Sequence, residues 1–156
     1  MTIKRYFLSL ILLLSVVASA LAGGVGTWKN YLAYSDVQWV EEGSNKLYVL
    51  ASNSLYTYNK NDQSIKTYDK VNGLSDTDIR FIAWNKTARR LVIIYSNNNI
   101  DLLDDRGNVT NVPDYYLKTT MADKTVNGID MSGVYCYLST GFGLVKLNVA
   151  KAEISD

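Results

Sequence analysis

The residues with most chemistry to offer are acidic pairs. Glu41-Glu42, Asp76 with Asp78, and Asp104-Asp105 each set two carboxylates close together. Such pairs can cleave glycosidic bonds or hold calcium. Asp76-Thr77-Asp78 is the best placed for calcium, because it falls in a loop between two repeating units. Asp is also a favoured turn residue, and solvated turns account for all three pairs without any chemistry. The chain has no His, which excludes Ser-His-Asp triads and His-based metal sites. Its one Cys, Cys136, excludes Cys-rich zinc sites. Neither a P-loop nor a dinucleotide fingerprint is present. The chain is therefore read as a non-enzyme with no cofactor and no metal.

Binding chemistry is the other possibility. Trp39, Phe81 and Trp84 could stack on sugars, although large aromatics more commonly fill a core because of the area each buries. Trp28, close to the start, is the aromatic most suspect of exposure. In Asn72-Gly73-Leu74 the structural reading is a tight turn with φ > 0 at Gly73 and Leu74 packed between units. The functional reading is a loop touching a ligand at the molecule's face. Trp28, Gly73, Asp76 and Asp78 are thus the candidate ligand or partner contacts.

The elements that would position these residues repeat. Ser52-Asn-Ser-Leu55, Ser96-Asn-Asn-Asn-Ile100 and Ser139-Thr-Gly-Phe-Gly-Leu144 lead into related strands, and their anchors Leu55, Ile100 and Leu144 lie 45 and 44 residues apart. Each unit opens with a short strand: Val37–Val40, Ile79–Ile82, Val126–Ile129. A polar turn and an apolar run follow: Leu47–Leu50, Leu91–Tyr95, Val134–Leu138. Runs without polar alternation suit strands covered on both faces. The third strand holds the anchors. A fourth lies at Ser64–Tyr68, at Asn108–Val112, and begins at Glu153-Ile154. Four antiparallel strands in roughly 40 residues, repeated, make a β-propeller blade. The fold class is all-β, an incomplete propeller with about three blades over residues 35–74, 78–117 and 125–156. Residues 27–33 read as a strand that closes a propeller or leads into blade one. A front part of a longer protein is expected, and residues 23–156 alone should be oligomeric, aggregated or partly unfolded, because blades bury their faces only against neighbours.

Lys4-Arg5, the apolar run Phe7–Val17 and the A-x-A sites at 18–22 form a secretory signal peptide over 1–22. The run is too short for a membrane span, which needs roughly 20 apolar residues. No transmembrane span is expected in the mature chain. The net charge is +1 with no basic cluster, so nucleic acid is not an expected partner. Export permits disulfides, but Cys136 is alone and reads as a buried small hydrophobe.

Lys70-Val-Asn-Gly-Leu-Ser-Asp76 and the Ser-Gly/Asn-Leu pattern at 52–59, 96–104 and 139–148 resemble the two-component regulator propeller repeat of exported Bacteroidota proteins. Gly26-Thr-Trp-Lys-Asn-Tyr-Leu-Ala-Tyr34, directly after the leader, is similar to the start of PorZ-like surface proteins of the type IX secretion system. That resemblance implies two seven-bladed propellers and a small C-terminal β domain. It implies a non-catalytic binding or scaffold module at the outer-membrane surface or in the periplasm. Its partners would be the sortase complex and anionic lipopolysaccharide or another glycan, with cargo attached to the lipopolysaccharide. It transfers no catalytic or ligand residue. The alternative is a periplasmic ligand-sensing propeller of a hybrid two-component regulator that binds glycan fragments. A propeller lyase or glycosidase ranks third, and in that case alanine at Asp76 and Asp78 would abolish turnover.

Overall fold

A computed structural model describes residues 34–155. The leader, Trp28 and the strand expected over 27–33 lie outside the described residues. Three four-stranded antiparallel sheets follow one another along the chain. Blade one holds β1 (Val37–Glu42), β2 (Lys46–Ala51), β3 (Ser54–Asn59) and β4 (Ile65–Tyr68). Blade two holds β5 (Ile79–Asn85), β6 (Arg90–Tyr95), β7 (Ile100–Asp104) and β8 (Val109–Asn111). Blade three holds β9 (Val126–Ser132), β10 (Tyr135–Thr140), β11 (Gly143–Asn148) and β12 (Glu153–Ser155). In each sheet the strands lie in chain order, so every step within a blade is a hairpin. The first strands β1, β5 and β9 neighbour one another across blades. The sheets therefore radiate from a shared axis as an open fan, the arrangement of propeller blades.

The period-two geometry of strands explains the core. Along β6, Leu91, Ile93 and Tyr95 point to blade one, while Val92 and Ile94 point to blade three. All five are fully buried, so the run has no polar face to show. The interface of blades one and two gathers Tyr48, Leu50, Leu55, Tyr68, Leu74 and Leu103 around β6. Tyr48 stacks on Trp84, ring centroids 5.2 Å apart. The interface of blades two and three is built from Ile100, Leu102, Cys136, Leu138, Val145 and Leu147. Burial pushes the Cys136 thiol up to about 12, helped by the Asp130 charge, as a small core hydrophobe requires.

The run Val134–Leu138 departs from the two-sided burial expected of it. Cys136 and Leu138 are buried, but Tyr135 and Tyr137 are half-buried on the opposite face of β10. The strand β9 also runs on through Met131 and Ser132, which the sequence places in a turn. A one-turn helix, α1 (Asp114–Leu117), follows β8 and was not expected. Pro113 supplies helical φ at its start, as proline does at helix entries.

The turns repeat as faithfully as the strands. Left-handed φ recurs at Gln63, Gly107 and Ala152, and again at Arg89 and Gly133. Backbone bonds join the start of each first strand to its own blade's second turn: Ser52 N to Asp36 O at 2.8 Å, Ser96 N to Asp78 O at 2.9 Å, Gly141 N to Thr125 O at 3.1 Å. Long cations tie neighbouring blades at equivalent places. Lys46 Nζ donates to Asp105 O at 2.8 Å, and Arg90 Nη1 to Val149 O at 3.2 Å.

Candidate functional site

The links between blades and the turns between second and third strands emerge on one face. The contacts at Asn53 place them there. Ile79 N donates to Asn53 O at 2.9 Å, and Asn53 Nδ2 donates to Asp78 Oδ1 at 2.7 Å. Asn53 has φ 58°, a conformation that Asn tolerates better than most residues. Asn98, at φ 68°, makes a related link one blade on through its side chain, whose Oδ1 accepts from Val126 N at 3.3 Å. Phe142 occupies the corresponding turn of blade three and is exposed.

Asp76 and Asp78 stand side by side on this face but do different work. Asp78 adopts φ 60° and uses its carboxylate and its carbonyl to lock two turns. The Asp76 carboxylate accepts from Asn97 Nδ2 and from Thr77 N, with Lys70 Nζ at 3.8 Å. Burial opposes its ionisation, but those hydrogen bonds and the lysine charge outweigh burial and hold its pKa below the usual carboxylate range. Both aspartates line a pocket of about 40 Å³ with Asn53, Tyr68 and Leu74, room for little more than a water. Among the described residues no cluster of three His, Cys, Asp or Glu could hold a metal.

Gly73 has φ 109°, and a Cβ there would meet nothing within 4 Å. Leu74 is buried in the interface of blades one and two. Ser75 N donates to Asp101 Oδ2 at 2.8 Å. Asp101 is fully buried and is the hub that sequence reasoning missed. It also accepts from Tyr95 Oη at 2.6 Å and from Asn111 Nδ2 at 2.8 Å. Burial and the Asp101 carboxylate both push the Tyr95 hydroxyl's pKa upward. The equivalent residue in blade one is Tyr56, so comparing repeats could have flagged Asp101 as a departure from pattern.

The expected aromatic trio separates. Trp84 is stacked on Tyr48 inside a blade interface. Trp39 is 57% exposed, against the expectation of a core residue. It lies with Phe81 on a pocket of about 300 Å³ where the three first strands converge. Asn85, within a glycosylation-type tripeptide, is fully buried, and its Nδ2 donates to Gly133 O at 3.1 Å. No described helix is long and apolar enough to cross a membrane.

The family described as TSS9, PorZ, N-terminal beta-propeller domain matches residues 47–156. The chain belongs to the PorZ N-terminal β-propeller family. PorZ of Porphyromonas gingivalis, a human oral bacterium, is similar in structure at a TM-score of 0.78 and 38% identity, over 84% of this chain and 18% of that one. That PorZ is described as an essential bacterial surface component of the type IX secretion system. The extracellular domain of BT4673 from B. thetaiotaomicron matches at a TM-score of 0.60 and 18% identity, over 84% of this chain and 18% of that one. Apo AztD from Citrobacter koseri matches at 0.60 and 13% identity, over 78% of this chain and 33% of that one. These last two share the fold alone. No curated protein matches the chain significantly. The chain thus spans under a fifth of the PorZ structure it resembles.

Proposed function

We propose that this chain is part of the front propeller of a cell-surface component of the type IX secretion apparatus, and that it acts there as a non-catalytic binding scaffold. The observation that carries the reading is the PorZ-family match over residues 47–156, joined to 38% identity with a PorZ that is itself a surface component of that system. In this reading the leader exports the chain. The propeller face engages other secretion proteins, the sortase complex among them, and assists attachment of cargo to anionic lipopolysaccharide. The face carrying Gly73, Asp76 and Asp78 is the contact surface, and Trp28 is a further proposed contact. The aspartates serve by holding the face in shape: their carboxylates are already engaged by Asn53, Asn97 and Lys70.

Deleting the gene and fractionating the cells tests this. Cargo proteins should then lose their lipopolysaccharide-linked, surface-attached form and accumulate unprocessed. Normal cargo attachment, with a transcriptional response to glycan fragments lost instead, would favour a sensor and overturn the scaffold reading.

A further inference from the structure

We propose that the pocket where β1, β5 and β9 converge captures the C-terminal residue of a partner polypeptide, with its apolar side chain against Trp39 and Phe81 and its carboxylate on Arg80. The inference goes beyond the scaffold reading and does not depend on it. The pocket encloses about 300 Å³ and draws on all three blades. That volume is at the small end of ligand pockets and suits one side chain with its chain end better than a folded surface. Trp39, Leu50, Phe81, Ile82 and Ile129 make its walls largely apolar. An apolar side chain can fill such walls without leaving polar groups unpaired, which a ring of hydroxyls cannot.

The strands aim the polar groups. Each first strand carries a bulge at the same place: between Val37 and Trp39, between Ile79 and Phe81, and between Val126 and Gly128. A bulge leaves one residue out of the ladder and re-aims its side chain. In blades one and two that residue is Gln38 and Arg80, and both line the pocket. Gln38 is already committed. Its Oε1 accepts from Asn53 N at 2.9 Å and its Nε2 donates to Asn53 Oδ1 at 3.0 Å. Arg80 is exposed, and its side chain has no carboxylate partner among the described residues. It is also the one charged residue lining the pocket. Its guanidinium carbon lies 5.4 Å from the Phe81 ring centroid, within reach of cation–π attraction. A planar fork held beside an aromatic ring matches a carboxylate, which accepts from two of its N–H groups at once.

The apolar half is fixed as well. Trp39 Nε1 donates to Glu41 Oε1 at 2.7 Å, while the other oxygen of Glu41 accepts from Trp84 N at 3.1 Å. The indole is thereby anchored to the seam between blades while over half of Trp39 stays exposed. The residue after the bulge is Trp39 in blade one, Phe81 in blade two and Gly128 in blade three. Gly128 leaves the third wall without an aromatic, and the pocket is open on that side. The two other candidate places are weaker. The pocket beside α1 opens onto Leu144, whose counterparts Leu55 and Ile100 are buried between blades. The pocket at Asp76 is too small.

The test titrates the purified full-length protein by calorimetry with four short peptides. These are acetyl-Gly-Gly-Phe as the free acid, the same peptide as its C-terminal amide, acetyl-Gly-Gly-Gly as the free acid, and acetyl-Gly-Asp-Phe amide. The Phe free acid should bind most tightly. Its amide should bind roughly tenfold more weakly, through loss of the charged acceptor. The Gly peptide should lose at least about tenfold, through loss of the buried ring. Arg80→Gln should weaken the Phe free acid to the level of its amide, with Arg80→Lys intermediate, because lysine keeps the charge but loses the fork. Trp39→Ala should weaken both Phe peptides and keep the preference for the acid. Thermal melts of the Arg80 variants should match that of the parent, since the side chain is exposed. Equal binding of acid and amide, no binding of the Phe free acid, or an Arg80→Gln variant that keeps the preference would overturn the proposal. Binding of the Asp-containing amide as tightly as the free acid would also overturn it, by showing that the pocket takes a side-chain carboxylate and not a chain end.

Discussion

The two blade interfaces share a backbone and differ in filling. Each is closed at one end by a long cation reaching a neighbouring carbonyl, Lys46 in the first and Arg90 in the second. Each is closed at the other end by an Asn in the left-handed region, Asn53 and Asn98. Between these ends the second interface is mostly aliphatic, with Tyr115 of α1 its buried aromatic and Phe81 packed against it part-buried. The first is aromatic and carries the buried Asp101 hub at its edge. The repeat thus specifies the frame, while individuality lies where one blade departs from the other two. Asp101 stands where blade one has Tyr56 and blade three has Val145, and it fastens the Asn72–Asp76 loop. Gly128 replaces an aromatic and leaves the axial pocket open.

The largest effect should come from the aliphatic interface. Leu138→Ala removes a fully buried side chain there and should cost about 2–5 kcal/mol, read from the urea midpoint. A loss under about 1 kcal/mol would mean that blades two and three are not packed as described. Asp101→Asn should cost about 1–3 kcal/mol, because donors from Ser75, Tyr95 and Asn111 lose a charged acceptor. Its distinctive sign is location: limited proteolysis should begin to cut within 72–78 while 113–125 stays as resistant as before. Cutting at both loops would dissolve the contrast between interfaces.

Gly73→Ala should cost about 1 kcal/mol through left-handed strain alone, since the space around it is empty. Unchanged lipopolysaccharide binding in that variant would assign Gly73 to the turn and not to a ligand. Acid should act at the Asp76 loop and at the Asp104 turn. Asp76 and Asp104 have folded pKa values below their ordinary 3.8: burial opposes ionisation in each, but hydrogen bonds, led by Asn97 and by Asn108, outweigh it. Their contribution is therefore complete above pH 3.8 and is lost as pH falls through the lower folded values. Asp76→Asn should flatten part of the acid limb of a stability–pH curve, and an unchanged curve would contradict the assignment. The smallest effect is expected at Tyr48, whose buried hydroxyl has no hydrogen-bond partner among the described residues. Tyr48→Phe should be neutral or stabilising by up to about 1 kcal/mol, and a clear loss of stability would show a partner there.

The frame was legible in the sequence because blade geometry leaves periodic marks. The Ser/Asn/Gly turns, the apolar runs and the 44–45-residue spacing of Leu55, Ile100 and Leu144 correspond to observed strands and turns, although the run at Val134–Leu138 is buried on one face only. Leu74 was expected between blades and lies there. The exposure of Trp39 was not legible, since an aromatic in a strand looks the same whether it faces a neighbour or the axis. The helix α1 was missed because four residues between Pro113 and Lys118 leave no helical period. The Asp101 hub was hidden because its partners come from three separated segments, residues 75, 95 and 111.

Surface exposure tests the account most directly. Intact cells of the source organism would be treated with a protease that cannot cross the outer membrane, then blotted with antibody against residues 34–155. A surface scaffold of the secretion apparatus should be degraded while a periplasmic marker survives. Full protection of this segment until the outer membrane is broken would contradict the account and leave a periplasmic propeller in its place.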